Sequence, residues 1–327
     1  MQLNNDAIKQ LWITMVPETE QLNIYINAPF CFCQCRYCLY RGHQADANTI
    51  ENYYKQYLIP QLYTYRDLFK RYSIGTIYFG GGTPNTMPIS ILKEIIYALD
   101  NTYTNAHARI IEINPAFVSN EYIEEIAKLN FTLVTFGVQT FDKDAIIKHR
   151  RGYVSPERIK ELTAMIKNSG AWVSLDIMAY LQTYRNSDLE NYLTQDIALS
   201  FTADIDFITI YPELNLINID PSARQHFITF MQQFVLGTTI NAYADDYTFK
   251  DNPRLIVRLI RNQYPYQMFM QDILPYYEDD FPYAKMNIIG FGDYYSSQEV
   301  ISYSPRRFCY AEKYMDGQPQ YDLKYRC

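Results

Sequence analysis

The sequence predicts an α/β fold: a partial, six-stranded TIM-like (β/α)6 barrel followed by a smaller C-terminal α+β region. Strand and helix patterns alternate six times between residues 22 and 211 with short connections, which is typical of parallel β/α architecture. A closed eight-stranded barrel needs about 250 residues, whereas this alternation stops near residue 215 of 327. We therefore expect a barrel region at 1–214 and a region at 215–327 that packs on it and covers one side of the site.

Each element has its own local pattern. Polar and apolar residues alternate in the first strand, and the helix at 49–69 should be interrupted near Pro60, since proline lacks a backbone donor. The predicted strands are 22–26, 75–79, 109–113, 132–138, 172–178 and 207–211. The helices are 49–69, 88–99, 121–129, 143–149, 156–169 and 188–199. Beyond residue 214 we expect helices at 221–236 and 253–262 and short strands at 266–270 and 286–291.

Composition narrows the functional classes. An apolar fraction of 48% is ample for a core, and a charged fraction of 20% is too low for a disordered chain. The net charge of −7 argues against a partner made of nucleic acid or anionic membrane. The first 20 residues have no signal-peptide pattern, and no apolar run is long enough to span a membrane. Together with the clustered thiols described next, these features predict a cytoplasmic protein.

Four of the six cysteines lie between residues 31 and 38. Four thiols in eight residues cannot all pair as disulfides, so we expect a metal site, and thiolates select zinc or iron–sulfur clusters. A structural zinc site normally adds a second Cys or His pair, which the four histidines do not form. Cys31, Cys35 and Cys38 suit three irons of a [4Fe–4S] cube and leave the fourth iron open for a ligand. Cys33 does not fit this spacing and is interpreted as a spare thiol.

Polar residues follow the predicted strands where function collects in parallel β/α proteins. Gly81, Gly82 and Thr83 follow the second strand, and consecutive glycines let backbone N–H groups approach a carboxylate. A plain tight turn is the alternative interpretation of this stretch.

Three later strands also end in polar side chains. Glu112, Gln139 and Asp176 end the third, fourth and fifth strands, and Arg151 could bind a carboxylate through its guanidinium fork. Salt bridges and strand-end caps are the structural alternative for each residue. Three in succession favour a polar ligand with amino and hydroxyl donors. Tyr211 and Glu213 could contact substrate, although core packing also explains them, and no general acid or base is nominated.

Cys-x3-Cys-x2-Cys with Tyr37 before the last cysteine closely resembles the cluster motif of the radical S-adenosylmethionine (SAM) enzymes. Further stretches, including Phe-Gly-Gly-Gly-Thr-Pro, Glu-Ile-Asn-Pro, Gly-Val-Gln-Thr-Phe, Leu-Asp-Ile-Met and Ile-Ile-Gly-Phe-Gly, resemble the oxygen-independent coproporphyrinogen III oxidase-like (HemN-like) group of that superfamily. The resemblance implies a radical SAM type of partial barrel and SAM bound to the open iron. It also implies SAM contacts at Tyr25, Tyr37, Gly81, Gly82, Thr83, Glu112, Gln139, Arg151, Asp176 and Met178.

The resemblance further implies an enzyme, a radical SAM oxidoreductase or transferase acting on a small molecule. One electron, from a reductant protein such as flavodoxin or ferredoxin, would cleave SAM to methionine and a 5′-deoxyadenosyl radical. The outcome would be hydrogen abstraction with oxidation or rearrangement, or methyl or methylene transfer. The alternative is a non-catalytic carrier of heme or a cluster, similar to the heme-chaperone relatives. The chain departs from the group at Asn27, where His is usual, at Leu39 and Tyr40, where the oxidases have another Cys, and at 278–283.

Overall fold

The computed structural model describes residues 4–38, 42–183, 185–213, 220–236, 241–244, 257–260, 287–292, 300–304, 307–315 and 318–324. The chain forms two compact units. The first unit comprises Met1–Gln34, Leu39–Glu112 and Gln267–Cys327, and the second comprises Cys35–Cys38 and Ile113–Tyr266. The predicted boundary between 214 and 215 stays a prediction, because 214–219 lie outside the described residues.

Strands and helices alternate through most of the described chain. The strands are β1 (Gln21–Ala28), β2 (Ser73–Gly81), β3 (Ala108–Ile113), β4 (Leu133–Gln139), β5 (Trp172–Ala179), β6 (Phe207–Pro212), β7 (Asn241–Ala244), β8 (Val257–Ile260), β9 (Asn287–Phe291), β10 (Val300–Ser304), β11 (Phe308–Met315) and β12 (Gln318–Lys324). The helices are α1 (Asn5–Met15), α2 (Ala47–Tyr53), α3 (Ile59–Phe69), α4 (Ile89–Leu99), α5 (Asn101–Asn105), α6 (Asn120–Ala127), α7 (Lys143–Lys148), α8 (Pro156–Lys167), α9 (Asn186–Thr202) and α10 (Pro221–Leu236).

These elements confirm the predicted α/β class and its six successive strands, β1 to β6. The strand predicted at 286–291 is confirmed as β9, and the one at 266–270 lies outside the described residues. The helix predicted at 253–262 is wrong at 257–260, where β8 pairs with β6 and β7. Arg258 alternates there with Val257 and Leu259, and sheet pairing selects that period of two over the helical one.

In the first unit, β9, β1, β2 and β3 pair in that order as parallel neighbours, and β10 to β12 extend the sheet beyond β9 as antiparallel strands. Tyr25 on β1 lies between Tyr78 on β2 and Gly290 on β9. Parallel strands bring their carboxyl ends to one edge, so the loops after β1 and β2 begin side by side.

In the second unit, β4, β5 and β6 are parallel; β8 pairs antiparallel with β6, and β7 pairs antiparallel with β8. Buried polar side chains tie these strands together. The hydroxyls of Thr135 and Ser174 lie 2.8 Å apart, and Asp206 accepts the backbone N–H of Val173 at 2.8 Å. The strands of each unit form an open sheet, as a partial barrel requires. Within the described residues, no helix is long and apolar enough to cross a membrane.

The predicted interruption near Pro60 is confirmed. A π-helical turn, Tyr54–Leu58, joins α2 to α3, and Pro60 stands in the first turn of α3, where it has no N–H to donate to the preceding turn.

The sequence-based prediction missed α1, which begins at the cap of Asn4: the Asn4 side chain accepts the N–H of Ala7 at 2.9 Å. Its apolar face buries Ile8 and Trp12. The indole N–H of Trp12 donates to the hydroxyl of Tyr310 on β11 at 2.9 Å.

We predict that Tyr310→Phe lowers the free energy of unfolding by about 1–3 kcal/mol, because it leaves the buried indole N–H of Trp12 without its acceptor. Urea unfolding measures this change. Tyr97→Phe is the matched control: the Tyr97 side chain is 71% exposed, so the same loss of a hydroxyl should cost less than about 0.5 kcal/mol. Equal effects of the two variants would contradict the role of the Trp12–Tyr310 bond.

Candidate functional site

In the first unit, the loop after β1 carries Cys31 and is held by the backbone of a later segment. The N–H of Cys31 donates to the carbonyl of His43 at 2.9 Å, and the N–H of His43 donates to that of Pro29 at 2.8 Å. The N–H of Gly42 lies 3.3 Å from the Sγ of Cys31 and donates to it. An N–H aimed at sulfur stabilises a thiolate, the form that binds metal.

The glycines predicted to approach a ligand also pack against this loop. A Cβ at Gly82 would lie 2.9 Å from the Sγ of Cys31 and 2.7 Å from the carbonyl oxygen of Phe30. Gly81 has φ +102°, and a Cβ there would come within 2.1 Å of the Asn27 side chain. Only glycine fits these positions. The glycines therefore approach the Cys31 loop closely, and their approach to a ligand carboxylate stays a prediction.

Glu112 and Tyr25 lie on either side of Tyr78. The Tyr78 hydroxyl donates to the carboxylate of Glu112, and its ring stacks on that of Tyr25 with centroids 5.8 Å apart. Glu112 and Tyr25 are both half-buried. Tyr78 was not among the predicted site residues. In the sheet register Tyr78 lies opposite Tyr25 on β1 and opposite Ile110 on β3, two residues before Glu112, and this position is the signal that could have found it.

The second unit contains the other half of the cysteine loop, Cys35–Cys38. The N–H of Cys38 donates to the carbonyl of Cys35 at 3.3 Å, which closes a turn, and the N–H of Arg36 donates to the carbonyl of His149 at 3.0 Å. The buried ring of Tyr37 lies 5.7 Å from the ring of His149. All four cysteines of the whole loop are thiols rather than disulfides.

Arg151 lies against this turn. Its guanidinium donates to the Sγ of Cys35 at 3.7 Å and to the carbonyl of Gly137. A Cβ at Gly137 would stand 2.9 Å from the guanidinium, so this strand position must be small. Burial alone would lower the pKa of Arg151, but negative charge on Tyr37 and Cys35 outweighs it, and the pKa is raised. Arg151 is therefore a permanent cation beside a thiol. Sequence reasoning expected a carboxylate partner for it.

Gln139 ends β4 in the left-handed conformation, with φ +74°, and its side-chain carbonyl accepts the Tyr211 hydroxyl at 2.5 Å. Burial raises the pKa of Tyr211, and negative charge on Asp176 raises it further. Asp176 is half-buried and Met178 is buried, both on β5. The carboxyl ends of β4, β5 and β6 thus gather an amide, a carboxylate and a phenol, as the strand-end pattern predicted for the first two.

Asp196 on α9 is a buried carboxylate that sequence reasoning missed. It accepts the backbone N–H of Phe141 at 2.9 Å and the side-chain amide of Gln182 at 2.7 Å. Gln182 also donates to Thr140 at 2.5 Å. Burial raises the pKa of Asp196 to about 6 despite these hydrogen bonds. The group fixes the two residues that follow Gln139. The signal that could have found Asp196 is its place on the buried face of α9, three residues after Leu193 and next to Ile197.

In the described part of the chain, no three His, Cys, Asp or Glu side chains are grouped closely enough to hold a single metal ion. A tetrahedral zinc ion requires its ligands to lie roughly 3.8 Å from one another, given bonds of about 2.3 Å. A cube places each thiolate on a different iron, so its ligands stand farther apart. The N–H donors at Cys31 and Cys35 fit thiolates that bind such a cluster.

The radical SAM superfamily model matches residues 25–195, which is more than half of the chain. The chain belongs to the radical SAM superfamily. The sequence resemblance is therefore confirmed, and the cofactors of this superfamily are a [4Fe–4S] cluster and SAM.

The radical SAM chain has similar relatives among heme chaperones and oxidases. It is 28% identical over 162 residues to the heme chaperone HemW of Buchnera aphidicola subsp. Schizaphis graminum, covering 48% of this chain and 42% of the relative. It is 24% identical over 173 residues to the oxygen-independent coproporphyrinogen III oxidase of Paracoccus denitrificans, covering 51% and 38%. The chain thus spans about two fifths of each relative.

The solved structure of coproporphyrinogen III oxidase (HemN) from Escherichia coli is similar in fold, with a TM-score of 0.69 at 13% identity over 97% of this chain and 75% of that one. This likeness confirms the radical SAM type of α/β fold.

We predict that Gly82→Ala reduces the iron bound after anaerobic reconstitution by at least about half, because the added methyl displaces the Cys31 loop. Iron and sulfide assays measure the change. Gly170→Ala is the control: it has φ +85° and open space around it, so it should cost about 1 kcal/mol of stability with no loss of iron. Full iron content in Gly82→Ala would contradict the close packing described here.

We predict that Asp196→Asn removes a pH dependence of stability. The folded protein raises the pKa of Asp196 from 3.8 to about 6, so it binds that proton more tightly than the unfolded chain does. The contribution of Asp196 to the free energy of unfolding therefore falls by up to about 3 kcal/mol as pH rises through this window, and it is constant above the window. Urea unfolding of both proteins between about pH 4 and pH 8 should show that the free energy of unfolding of the variant increases relative to that of the wild type as pH rises. Parallel curves would refute the assignment.

Proposed function

We propose that the chain is a radical SAM enzyme whose cluster is held by Cys31, Cys35 and Cys38. The observation that carries the proposal is the donor set around two of these thiols: the N–H of Gly42 at Cys31 and the guanidinium of Arg151 at Cys35. Hydrogen bonds to sulfur are among the means by which proteins tune iron–sulfur clusters. When bound, the cluster and SAM supply radical chemistry, in which one electron cleaves SAM to methionine and a 5′-deoxyadenosyl radical.

We further propose that the strand-end residues bind SAM, each by the chemistry of its own group. In the first unit, Gly81, Gly82 and Thr83 let the backbone come close to a carboxylate, with the N–H of Gly82 itself donating to the carbonyl of Ala28 at 2.7 Å. Glu112 accepts from an amino group, and Tyr25 offers an aromatic face. Tyr78 holds Glu112 in place, so that carboxylate need not reorganise when a ligand arrives.

The proposed SAM contacts in the second unit are Tyr37, Gln139, Arg151, Asp176 and Met178. Asp176 and Gln139 offer oxygens to hydroxyl donors, and Met178 offers apolar contact to a ring. Tyr211 orients the Gln139 amide by donating to its carbonyl, so its NH2 group points away from Tyr211. We propose that Arg151 supports the Cys35 thiolate as well as any carboxylate nearby.

The substrate we propose is a small molecule, altered by hydrogen abstraction with oxidation or rearrangement, or by methyl or methylene transfer. A second candidate is a non-catalytic carrier of heme or a cluster, which the similarity to HemW chaperones favours. The chaperone relatives usually have a His-Asn-x-x-Tyr-Trp stretch where this chain has Glu278, Asp279, Asp280, Phe281, Pro282 and Tyr283. That difference supports the enzyme over the carrier.

A reductant protein such as flavodoxin or ferredoxin is the proposed electron source.

We also propose a cytoplasmic location with no nucleic-acid or membrane partner. A reducing compartment keeps the four thiols of the loop available to iron, and the net charge of −7 disfavours anionic partners for the chain as a whole. Cys309 on β11 is disulfide-bonded, and disulfides are rare in a reducing compartment, so the proposed location rests on the loop thiols and not on Cys309.

We predict that the anaerobically reconstituted chain, given SAM and dithionite, releases 5′-deoxyadenosine. Formation of S-adenosylhomocysteine in addition would indicate methyl transfer, whereas heme binding with neither product would support the carrier. Cys35→Ala should lose the cluster absorbance and all cleavage, because it removes one iron ligand. Cys33→Ala is the matched control and should keep both. Zinc as the only bound metal, or an intact cluster in Cys35→Ala, would refute the proposed function.

A further inference from the structure

A group of exposed residues borders the Cys35–Cys38 turn within the second unit: Arg36, Ile147, Lys148 and Arg150, here called the basic rim. Arg36 stands between two proposed iron ligands, and its N–H donates to the carbonyl of His149 at 3.0 Å. Lys148 and Arg150 are the chain neighbours of His149, and both side chains are exposed. The backbone hydrogen bond between Arg36 and His149 therefore connects the cysteine turn to the segment that carries the other rim residues.

Positive charge is concentrated at the rim although the chain as a whole carries −7. Burial lowers the pKa of His149, and the charges of Lys148 and Arg36 lower it further, against the hydrogen bond to Leu181 and the charge of Glu213, which raise it; two cations and one carboxylate therefore lie near this buried ring. Within the described residues, neither Lys148 nor Arg150 has a carboxylate within 4.0 Å. The acid exposed on α7, Asp144, lies one turn before Lys148, so the positive surplus is at the carboxyl end of the helix.

The rim also has an apolar centre. The Ile147 side chain is 58% exposed and precedes Lys148 in α7. A single exposed apolar residue is ordinary on a protein surface, and Ile147 adds to the rim only through its place among the cations.

Arg150 occupies a strained position. Its φ is +59°, and its N–H donates to the carbonyl of Ile147 at 2.9 Å, so it takes the left-handed place just beyond the end of α7. Glycine adopts this conformation at lower energy than any residue with a Cβ. A residue that weakens a helix end while exposing a guanidinium is typical of a functional surface.

We propose that the basic rim is the docking surface for a small acidic electron-transfer protein of the flavodoxin or ferredoxin class. The inference rests on the proposed function, which needs one electron for each SAM cleaved: the donor is oxidised by one electron and the cluster is reduced by one. Electron transfer weakens steeply with distance, so the donor must bind beside the cysteine turn. Redox partners bind through small, charge-matched interfaces, and a few cations around one apolar residue suit such a contact.

The first test titrates an acidic flavodoxin, in its oxidised form, into the purified chain without SAM and measures the binding by calorimetry. The double variant Lys148→Glu/Arg150→Glu should weaken binding about 10- to 100-fold at low salt, and the difference should shrink at about 0.15 M salt. Ile147→Asn should weaken binding about 3- to 10-fold at both salt concentrations. Lys160→Glu, which reverses an exposed lysine on α8, is the control and should bind like the wild type.

A second variant separates docking from folding. Arg150→Gly relieves the left-handed strain, so we expect Tm to rise by about 1–3 °C while affinity falls about 2- to 5-fold. A purely structural arginine would give the rise in Tm with no change in affinity, and that result would overturn the proposal.

The closing experiment compares electron sources. In the Lys148→Glu/Arg150→Glu variant, SAM cleavage driven by flavodoxin should fall at least about 10-fold, whereas cleavage driven by dithionite should equal that of the wild type, because a small reductant needs no docking surface. Unchanged flavodoxin affinity in this variant, or no binding of flavodoxin or ferredoxin by the wild type at low salt, would overturn the docking surface alone. Absence of dithionite-driven cleavage in the wild type would instead overturn the proposed function.

Discussion

The first unit depends on positions where no side chain can be present. β1 and β2 run in parallel with Ala28 opposite Gly81, so the chain leaving β2 must pass directly over the loop that carries Cys31. It does so at van der Waals distance because Gly82 has no Cβ, and Gly42 approaches the same sulfur from the other segment. The predicted glycine turn thus packs directly against Cys31 instead of forming a separate loop. The backbone of the turn and the position of Cys31 therefore constrain each other.

Tyrosine links several of the strand-end groups. Tyr78 on β2 donates to Glu112 on β3, and Tyr211 on β6 donates to Gln139 on β4. In each case a phenol from another strand fixes the side chain that the sequence singled out. The chain has 32 tyrosines, and amphipathic packing at the core boundary is the ordinary role of such a ring. These two fill that role and also hold polar groups in one orientation, which spares those groups the reorganisation that ligand binding would otherwise require.

The sequence predicted the order of β1 to β6 because those strands are apolar, bounded by turns and separated by helices of regular period. It predicted the strand-end polar residues because charge inside an apolar strand is costly and therefore conspicuous. It missed Asp196 and Tyr78 because their roles come from neighbours distant in sequence. It missed the strands β10 to β12 because antiparallel pairing of mixed polar segments leaves no clear hydrophobic period in the sequence. It misread 257–260 because short apolar runs suit either period.

The π-helical turn before Pro60 has a geometric consequence for the face that α2 and α3 bury. Tyr54, Leu58 and Leu62 there are fully buried, each four positions from the last, and Ile50 continues the row. In an ideal α-helix a spacing of four advances the stripe by about 40° at every step. A wider turn at Tyr54–Leu58 absorbs part of that drift. Because a π-helical turn holds one more residue than an α-helical turn, losing one residue within 54–58 would restore an α-helical turn and leave α3 in phase, whereas losing one residue within α3 would rotate the residues after it by about 100° away from the core.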